Sequence, residues 1–239
     1  VWEVRTEART LPARNTALVL CDVWNRHTCR GAEERLEKLL PRMQQVVATL
    51  REQGVLIVHA PSDTMAFYEG TPARQRVLDA PPVEPPAERE HDDPPLPIDA
   101  SDGGCDTAPD HAHPKYERGM PRPWTRQHPA IEIDQERDAI SANGQELYNL
   151  YRQRGIEHVL EMGVHTNMCI LNRTFSIKQM VRWGIDIALI RDLTDAMYNP
   201  AKPPYVSHEE GTRLVVEYIE KHWCPTVSSG ELLEGWVAS

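Results

Sequence analysis

Short aliphatic runs alternate with amphipathic segments along the first quarter of the chain. The run Thr16–Asp22 is apolar between its ends and finishes in a carboxylate, as a buried parallel strand does. Between Glu33 and Gln53, apolar residues recur every three or four positions, which predicts an amphipathic helix that ends at Gly54. The run Val55–Ala60 predicts a second buried strand. The chain is therefore expected to begin as a β-α-β unit.

The same alternation returns in the second half of the chain. Strands are predicted at Ala130–Ile133, His158–Gly163, Asp186–Asp192 and Pro225–Val227, and helices at Asn143–Arg154, Met168–Trp183 and Ser207–His222. Alternating strands and helices favour right-handed crossovers, which build a parallel sheet with helices on both faces. Ligands of such sheets bind beyond the carboxyl ends of the strands, so Asp22 and the turn after Gly163 are expected at the same functional edge.

The middle of the chain, about 72–129, lacks any sustained periodicity. It holds thirteen of the twenty prolines, so we expect a long irregular insertion. A flexible linker between domains would have a similar composition. The insertion also carries Cys105, Trp124 and the pair His111 and His113, which a linker seldom contains, and we therefore favour an ordered flap or a partner surface.

Length and charge exclude several classes of protein. A chain of 239 residues fits one domain, spanning 1–239, around a single core. Its net charge of −10 has the wrong sign for a phosphate backbone, so no nucleic-acid partner is expected. No apolar run approaches the roughly 20 residues of a membrane helix, so no membrane partner is expected either.

The five cysteines leave at least one thiol unpaired and are too sparse for a secreted disulfide framework. Cys21 and Cys29 pair only if the loop between them doubles back. We expect a cytoplasmic location, although the chain does not begin with methionine and its targeting is unreadable.

The segment Gly163–Cys169 leads from a predicted buried strand directly into a helix. In the first helical turn, Cys169 would face free backbone N–H groups and the positive end of the helix dipole, which predicts a lowered pKa and a nucleophilic thiolate. The same N–H groups would hold an oxyanion. A buried structural cysteine is the alternative. Asp22 favours catalysis because it can take the thiol proton, although a helix cap or loop acid would also place a carboxylate there.

These two segments carry a resemblance to a known family. Ala17–Asn25, an aliphatic strand followed by an aspartate and an asparagine, and Gly163–Cys169, with the spacing Gly-x-x-Thr-x-x-Cys, lie about 150 residues apart. They resemble the motifs of the isochorismatase-like cysteine hydrolases, which include nicotinamidases, N-carbamoylsarcosine amidase and ureidoacrylate amidohydrolase. Arg191–Ala196 and Thr226–Leu233 give weaker support. The sequence is similar to a divergent bacterial branch of this family, from which no substrate carries over.

The resemblance implies a three-layer α/β/α fold around a six-stranded, mainly parallel sheet. It also implies that Cys169 is the nucleophile, that Asp22 is the general base, and that the N–H groups of His165 and Cys169 form an oxyanion hole. In this family the turn commonly contains a non-proline cis peptide, which here would be Val164–His165.

One departure from the family pattern concerns its catalytic lysine. Asp134 occupies that position, and the nearest substitutes for the positive charge are Lys115, Arg126 and Arg137. Arginine stays protonated, so it would pair charges or bind an anion rather than transfer a proton.

A second departure concerns metal. The Asp-x-His zinc ligands of nicotinamidases are missing, since Ala60–Met65 reads Ala-Pro-Ser-Asp-Thr-Met. His111 and His113 alternate as zinc ligands do, but exposed loop histidines are the simpler interpretation. We therefore expect neither a metal nor another cofactor.

Five residues are predicted to bind the substrate: Trp24, Asn25, His27, Arg126 and Asn167. Trp24 follows the base on a loop and is expected to form a wall of the pocket, although a core aromatic residue is the alternative. His27 would donate to a substrate oxygen or satisfy a nearby backbone group. Arg126, together with Trp24, would orient an anionic or planar substrate.

The leading hypothesis is a cysteine hydrolase that cleaves an amide or related C–N bond of a small molecule through a thioester on Cys169. A small-ligand binding protein that kept the fold without catalysis is a second hypothesis. A vinyl ether hydrolase of the isochorismatase type, which needs no cysteine, is a third. We expect a small-molecule substrate and a homo-oligomer.

Overall fold

Strands and helices alternate through the computed structural model, which describes residues 3–108, 110–115, 117 and 120–237. The strands are β1 (Thr16–Cys21), β2 (Leu56–Ala60), β3 (Ala139–Ile140), β4 (His158–Val164), β5 (Asp186–Asp195) and β6 (Thr226–Val227). The α-helices are α1 (Arg30–Glu52), α2 (Pro72–Leu78), α3 (Gly144–Arg154), α4 (Cys169–Asn172), α5 (Ile177–Trp183), α6 (His208–His222) and α7 (Ser229–Val237). Short 3-10 helices lie at Ala13–Asn15 and Met65–Tyr68.

The six strands form one parallel sheet in the order β3-β2-β1-β4-β5-β6. Cys21, the last residue of β1, pairs with Ala60 of β2 on one side and with Gly163 of β4 on the other. The three central strands therefore end at the same level. Asp22 and the segment after Gly163 leave the sheet side by side at its carboxyl edge, which confirms the prediction for this edge.

Helices cover both faces of the sheet because the residues of each strand alternate between two apolar layers. In β1, Ala17, Val19 and Cys21 belong to a cluster with residues of α3, α5 and α6, whereas Leu18 and Leu20 belong to a cluster with α1 and α7. All six residues of β1 are buried, as in a central parallel strand. The predicted three-layer, six-stranded fold is confirmed. In the part of the chain described, no helix combines the length and apolar composition needed to cross a bilayer.

The strand predicted at Ala130–Ile133 is not formed, and that prediction is wrong. Side chains occupy the backbone groups that a strand would pair: the N–H of Glu132 donates to Gln44, and its carbonyl accepts from Arg51. Asp134 then accepts from two following N–H groups and turns the chain. The edge strand on this side of the sheet is instead β3.

Two predicted helices have different bounds. The first begins at Arg30 instead of Glu33, because Thr107 of the insertion accepts from the N–H of Gly31 and so caps the added turn from outside. The helix predicted at Met168–Trp183 is interrupted between α4 and α5. Arg173, directly after α4, has an extended backbone with φ −65° and ψ 153°.

The insertion is irregular apart from α2, which the sequence does not predict. Its described residues contact the body of the chain. The N–H of Arg89 donates to the carbonyl of Arg182 in α5 at 2.9 Å, and a disulfide joins Cys105 to Cys29 at the start of α1. Cys29 therefore pairs with a residue of the insertion, whereas Cys21 is a free, buried thiol.

Glu161 of β4 is fully buried beneath the carboxyl edge of the sheet. Ser176 donates to one of its oxygens at 2.5 Å, whereas the other oxygen and the hydroxyl of Tyr151 find no hydrogen-bond partner among the described residues. Burial, with the negative charge of Asp22 adding to it, raises the pKa of Glu161 well above its usual range.

A buried ion pair links α1 to the residue before β3. Arg51 donates to both oxygens of Asp138, at 2.9 and 2.6 Å, and both side chains are at most 4% exposed. His59 of β2 hydrogen-bonds to the same carboxylate at 2.9 Å and to Gln127 of the insertion at 2.9 Å. This network connects α1, β2, the residue before β3 and the insertion.

The variant Asp138→Asn is expected to lose about 3–5 kcal/mol of unfolding free energy, because the buried guanidinium of Arg51 loses its counter-charge. Urea unfolding followed by circular dichroism measures the loss. Glu210→Gln, which removes an exposed partner of Arg213, is the control and should leave the unfolding free energy nearly unchanged. Equal losses in the two variants would contradict this expectation.

Candidate active site

Asp22 follows β1, and its side chain is fully buried. Its backbone φ of 49° is a left-handed conformation that aspartate tolerates better than most residues. The N–H of Ser62 donates to Oδ1 at 2.7 Å. Nε of Arg173 donates to Oδ2 at 2.8 Å, and a terminal nitrogen of the same guanidinium lies 2.8 Å from Oδ2. The buried carboxylate thus has a donor on each oxygen and a positive charge beside it.

Cys169 is the first residue of α4, and its thiol meets this carboxylate. The thiol lies beside Asp22, whose negative charge acts on it, and the backbone N–H of His165 faces the sulfur. The structure therefore brings together the two residues that the sequence predicts as nucleophile and base.

The thiol is not activated in the resting protein. Burial, and after it the negative charge of Asp22, raises the pKa of Cys169 to about 12, although Arg173 opposes this shift. The prediction of a lowered pKa is therefore wrong. It assumes a long helix beginning beneath the sulfur, but α4 has only four residues, so burial and the adjacent carboxylate outweigh its dipole.

Arg173 supplies the positive charge at the site, and sequence reasoning missed it. It lies four residues after Cys169, a spacing that places two side chains on the same face of a helical turn. This spacing is the signal that could have identified it.

The substitutes predicted for the family lysine lie elsewhere, and those predictions are wrong. Asp134 pairs with Nε of Arg137 at 2.6 Å, and this hydrogen bond lowers the pKa of Asp134 to about 2. The guanidinium of Arg126 lies over a phenylalanine ring at 5.5 Å, and Lys115 is exposed. None of these residues pairs with Asp22 in the described ranges.

The turn between β4 and α4 requires a glycine. Gly163 has a φ of 125°, and a Cβ there would lie 2.0 Å from the carbonyl oxygen of Cys21. The following peptide, Val164–His165, is cis, as the resemblance implies. Among the described residues, the N–H groups of His165 and Cys169 donate to no carbonyl oxygen, so a ligand oxygen can accept from them.

Asn167 anchors this turn to the loop after β5. Its amide donates to the carbonyl of Met197 at 3.0 Å and accepts from the N–H of Met197 at 2.9 Å. Both polar ends of the side chain are therefore occupied, and the predicted contact of Asn167 with substrate does not agree with this placement.

Trp24, His27 and Trp124 form an aromatic wall near Asp22. Trp24 and Trp124 stack with ring centroids 4.2 Å apart, and His27 lies nearly parallel to Trp124 at 5.7 Å. The indole N–H of Trp24 donates to the carbonyl of Ser62 at 3.0 Å. A small cavity at this wall is lined mainly by Asp22, Trp24, Arg26, His27, Glu33 and His165. Trp24 thus lines a cavity next to Asp22, and its contact with a substrate stays a prediction.

The two histidines of the cavity are uncharged at neutral pH. Burial lowers the pKa of His27 to about 4 and that of His165 well below its usual range. Nδ1 of His27 accepts from the N–H of Cys29 at 3.0 Å, which leaves its Nε2 as the protonated nitrogen. His27 thus satisfies a backbone group and keeps a second donor.

Asn25 fastens the insertion to the loop after β1. Its side chain donates to the hydroxyl of Thr125 at 3.1 Å and accepts from the N–H of Thr125 at 3.0 Å, and its N–H donates to the carbonyl of Arg126 at 3.0 Å. Neither Asn25 nor Arg126 lines the cavity. Their predicted substrate contacts are therefore not supported by this placement.

His111 and His113 do not share a metal site in the part of the chain that is described. His111 is exposed, and His113 hydrogen-bonds to two carboxylates. The described groups close enough to share an ion are Cys29, Cys105 and Asp106, and the two sulfur atoms are joined in a disulfide.

The fold of this chain is similar to that of solved structures of isochorismatase-family and cysteine hydrolases. A cysteine hydrolase from Pseudomonas syringae pv. phaseolicola matches 98% of this chain and 99% of its own, with a TM-score of 0.61 and 15% sequence identity. An isochorismatase-like hydrolase from Alkaliphilus metalliredigens matches 94% of this chain and 97% of its own, with a TM-score of 0.52 and 14% sequence identity. An isochorismatase family protein from Burkholderia thailandensis matches 95% of this chain and 97% of its own, with a TM-score of 0.51 and 13% sequence identity. No protein-family model and no curated protein matches the chain.

The variant Asp22→Asn is expected to let Cys169 ionise at lower pH than in the wild type, because the amide removes the negative charge that opposes the thiolate. Carboxamidomethylation of Cys169 at about pH 9 should become about tenfold faster or more, as measured by mass spectrometry of its peptide. Cys224, a free thiol whose pKa is raised mainly by burial, is the internal reference and should react at an unchanged rate. A slower or unchanged reaction at Cys169 would refute the assigned contact.

Proposed function

We propose that this protein is a cysteine hydrolase that cleaves an amide or related C–N bond of a small molecule through a thioester on Cys169. The observation that carries the proposal is the placement of the Cys169 thiol beside the buried carboxylate of Asp22. A thiol beside a base, next to two N–H groups that donate to no oxygen among the described residues, is an arrangement that supports acyl transfer.

The first step is attack on the substrate carbonyl. Because the thiol is protonated at rest, the proton moves to Asp22 as the C–S bond forms and the carbonyl π electrons pass to oxygen. The resulting oxyanion accepts hydrogen bonds from the N–H groups of His165 and Cys169. Asp22 then donates the proton to the leaving nitrogen, the C–N bond breaks, and a thioester remains on Cys169.

The second step is hydrolysis of the thioester. Asp22, again a carboxylate, takes a proton from an incoming water as the water oxygen attacks the thioester carbonyl. The same two N–H groups stabilise the second oxyanion. Collapse breaks the C–S bond, the thiol regains its proton from Asp22, and the acid product leaves.

The aromatic wall favours a planar substrate. Its stacked rings line one side of the cavity, and a flat molecule can pack against such rings. The protonated Nε2 of His27 is a neutral donor suited to a substrate oxygen or nitrogen. Arg26, which lines the cavity, is suited to a substrate carboxylate.

A non-catalytic binding protein is the second candidate, and the raised pKa of Cys169 favours it. A thiol that ionises near pH 12 is a poor nucleophile unless substrate binding is coupled to proton transfer. This candidate predicts ligand binding with the same affinity in wild type and Cys169→Ala, and no turnover in either.

The variant Cys169→Ala is expected to lose at least about 10³-fold of kcat on any amide that the wild type hydrolyses, because the bond-forming atom is gone. A panel of small planar amides and ureides, assayed for released amine or ammonia, identifies the substrate. Rapid quenching followed by mass spectrometry should then find the acyl group on the Cys169 peptide.

Cys224→Ala is the matched control, since Cys224 is also a free and buried cysteine but belongs to the core cluster away from the cavity. It should keep the wild-type kcat. Full activity in Cys169→Ala would contradict the thioester mechanism.

A further inference from the structure

We propose that Arg173 is the positioning residue of this site: it holds the Asp22 carboxylate ionised and oriented towards the Cys169 thiol, and it transfers no proton itself. The inference rests on the proposed function and adds a residue that neither the sequence motifs nor the fold comparisons assign.

The contacts of Arg173 converge on one oxygen of Asp22. Its Nε and a terminal nitrogen each lie 2.8 Å from Oδ2, while the N–H of Ser62 lies 2.7 Å from Oδ1. Donors on both oxygens fix the plane of the carboxylate. All of these donors favour the ionised form, because a proton on either oxygen would displace one of them.

Burial makes this charge pairing necessary. The Asp22 side chain has no exposed surface, and an isolated carboxylate in such a place would take up a proton and lose its function as a base. The guanidinium of Arg173 is the cation that pairs with it within the described residues. A base at this position therefore depends on Arg173.

Arg173 and the nucleophile are placed by the same short segment. Arg173 lies directly after α4, and its N–H donates to the carbonyl of Cys169 at 3.0 Å. Its extended backbone ends the helix there and sends the side chain to Asp22. The segment from 169 to 173 therefore sets both the sulfur and the cation against a carboxylate that comes from another strand.

Arg173 is unsuited to proton transfer. Burial disfavours its charge, but the adjacent Asp22 carboxylate nevertheless raises the pKa of Arg173 above its already high ordinary value. It stays a cation throughout the reaction. Asp22 is then the carrier that moves the proton between the thiol, the leaving nitrogen and water.

The outer side of the same guanidinium offers a control. Asp63 lies 3.8 Å from Arg173, and it also pairs with Arg122 of the insertion. Asp63 is exposed and touches neither Asp22 nor the sulfur in the described contacts. Asp63→Asn therefore removes a charge beside Arg173 and leaves the contact with Asp22.

The first experiment needs no substrate. Protein labelled with ¹³C at aspartate carboxyl carbons is followed by NMR at neutral pH, and the Asp22 signal is assigned by its loss in Asp22→Asn. In Arg173→Met the Asp22 signal is expected to move towards the position of a protonated carboxyl group, because the buried carboxylate loses its cation. Arg173→Lys should show a smaller movement, and Asp63→Asn should match the wild type. An unmoved signal in Arg173→Met overturns the proposal.

The second experiment follows turnover of the substrate found by the amide panel. In Arg173→Met, kcat is expected to fall about 10²-fold with KM changed by less than about threefold, and the acid limb of kcat/KM should move to higher pH. The kcat of Arg173→Lys should be about tenfold higher than that of Arg173→Met, since lysine keeps the positive charge but lacks the forked donors of a guanidinium. A lysine variant no better than the methionine variant, or an unmoved acid limb, counts against positioning.

The two experiments separate this inference from the proposed function. Absence of Cys169-dependent turnover in the wild type would contradict the proposed hydrolase, whereas the NMR measurement would still decide whether Arg173 keeps Asp22 ionised. Circular dichroism checks that each variant is folded. Where Arg173→Met does not fold, Arg173→Gln, which also removes the charge, takes its place, and an unmoved Asp22 signal in that variant overturns the proposal.

Discussion

The pairing of a buried carboxylate with a single cation is the interaction on which the site depends. Taking a carboxylate out of water costs several kcal/mol unless opposite charge and hydrogen bonds compensate for it. At Asp22 the compensation comes from Arg173 and from the backbone N–H of Ser62, two donors from different parts of the chain. The interruption between α4 and α5 belongs to the same arrangement, because it occurs at the residue that reaches the carboxylate.

Much of the fold and the central pair of the site could be predicted from the sequence. The buried run of β1 and the strand-to-helix turn before Cys169 are local signals, and the right-handed crossover rule brings their ends to the same edge. These signals do not identify Arg173: its spacing of four residues from Cys169 points to it, but its role follows from a helix that stops after four residues. The lowered pKa expected for Cys169 failed for the same reason, since a full-length helix was assumed.

The contacts that the insertion makes with the site could not be predicted from the sequence, because they join segments that are far apart in the chain. Trp124 completes the aromatic wall by stacking on Trp24, and Thr125 uses both hydrogen-bonding ends of Asn25. The composition of the insertion indicates irregular backbone but not which surface it covers. The false strand at Ala130–Ile133 has a related cause, since long side chains from α1 occupy its backbone groups. Period-two alternation over four residues was too short a signal to reveal this.

Two acids, Asp22 and Glu161, are buried in the same part of the sheet, and their surroundings favour different protonation states. The first is paired with a cation, whereas burial raises the pKa of the second and so favours its protonated form. This shift has a thermodynamic consequence. Above the ordinary pKa of a glutamate, the unfolded chain releases the proton while the folded chain holds it up to the raised pKa, so the contribution of Glu161 to folding declines as the pH rises through this range.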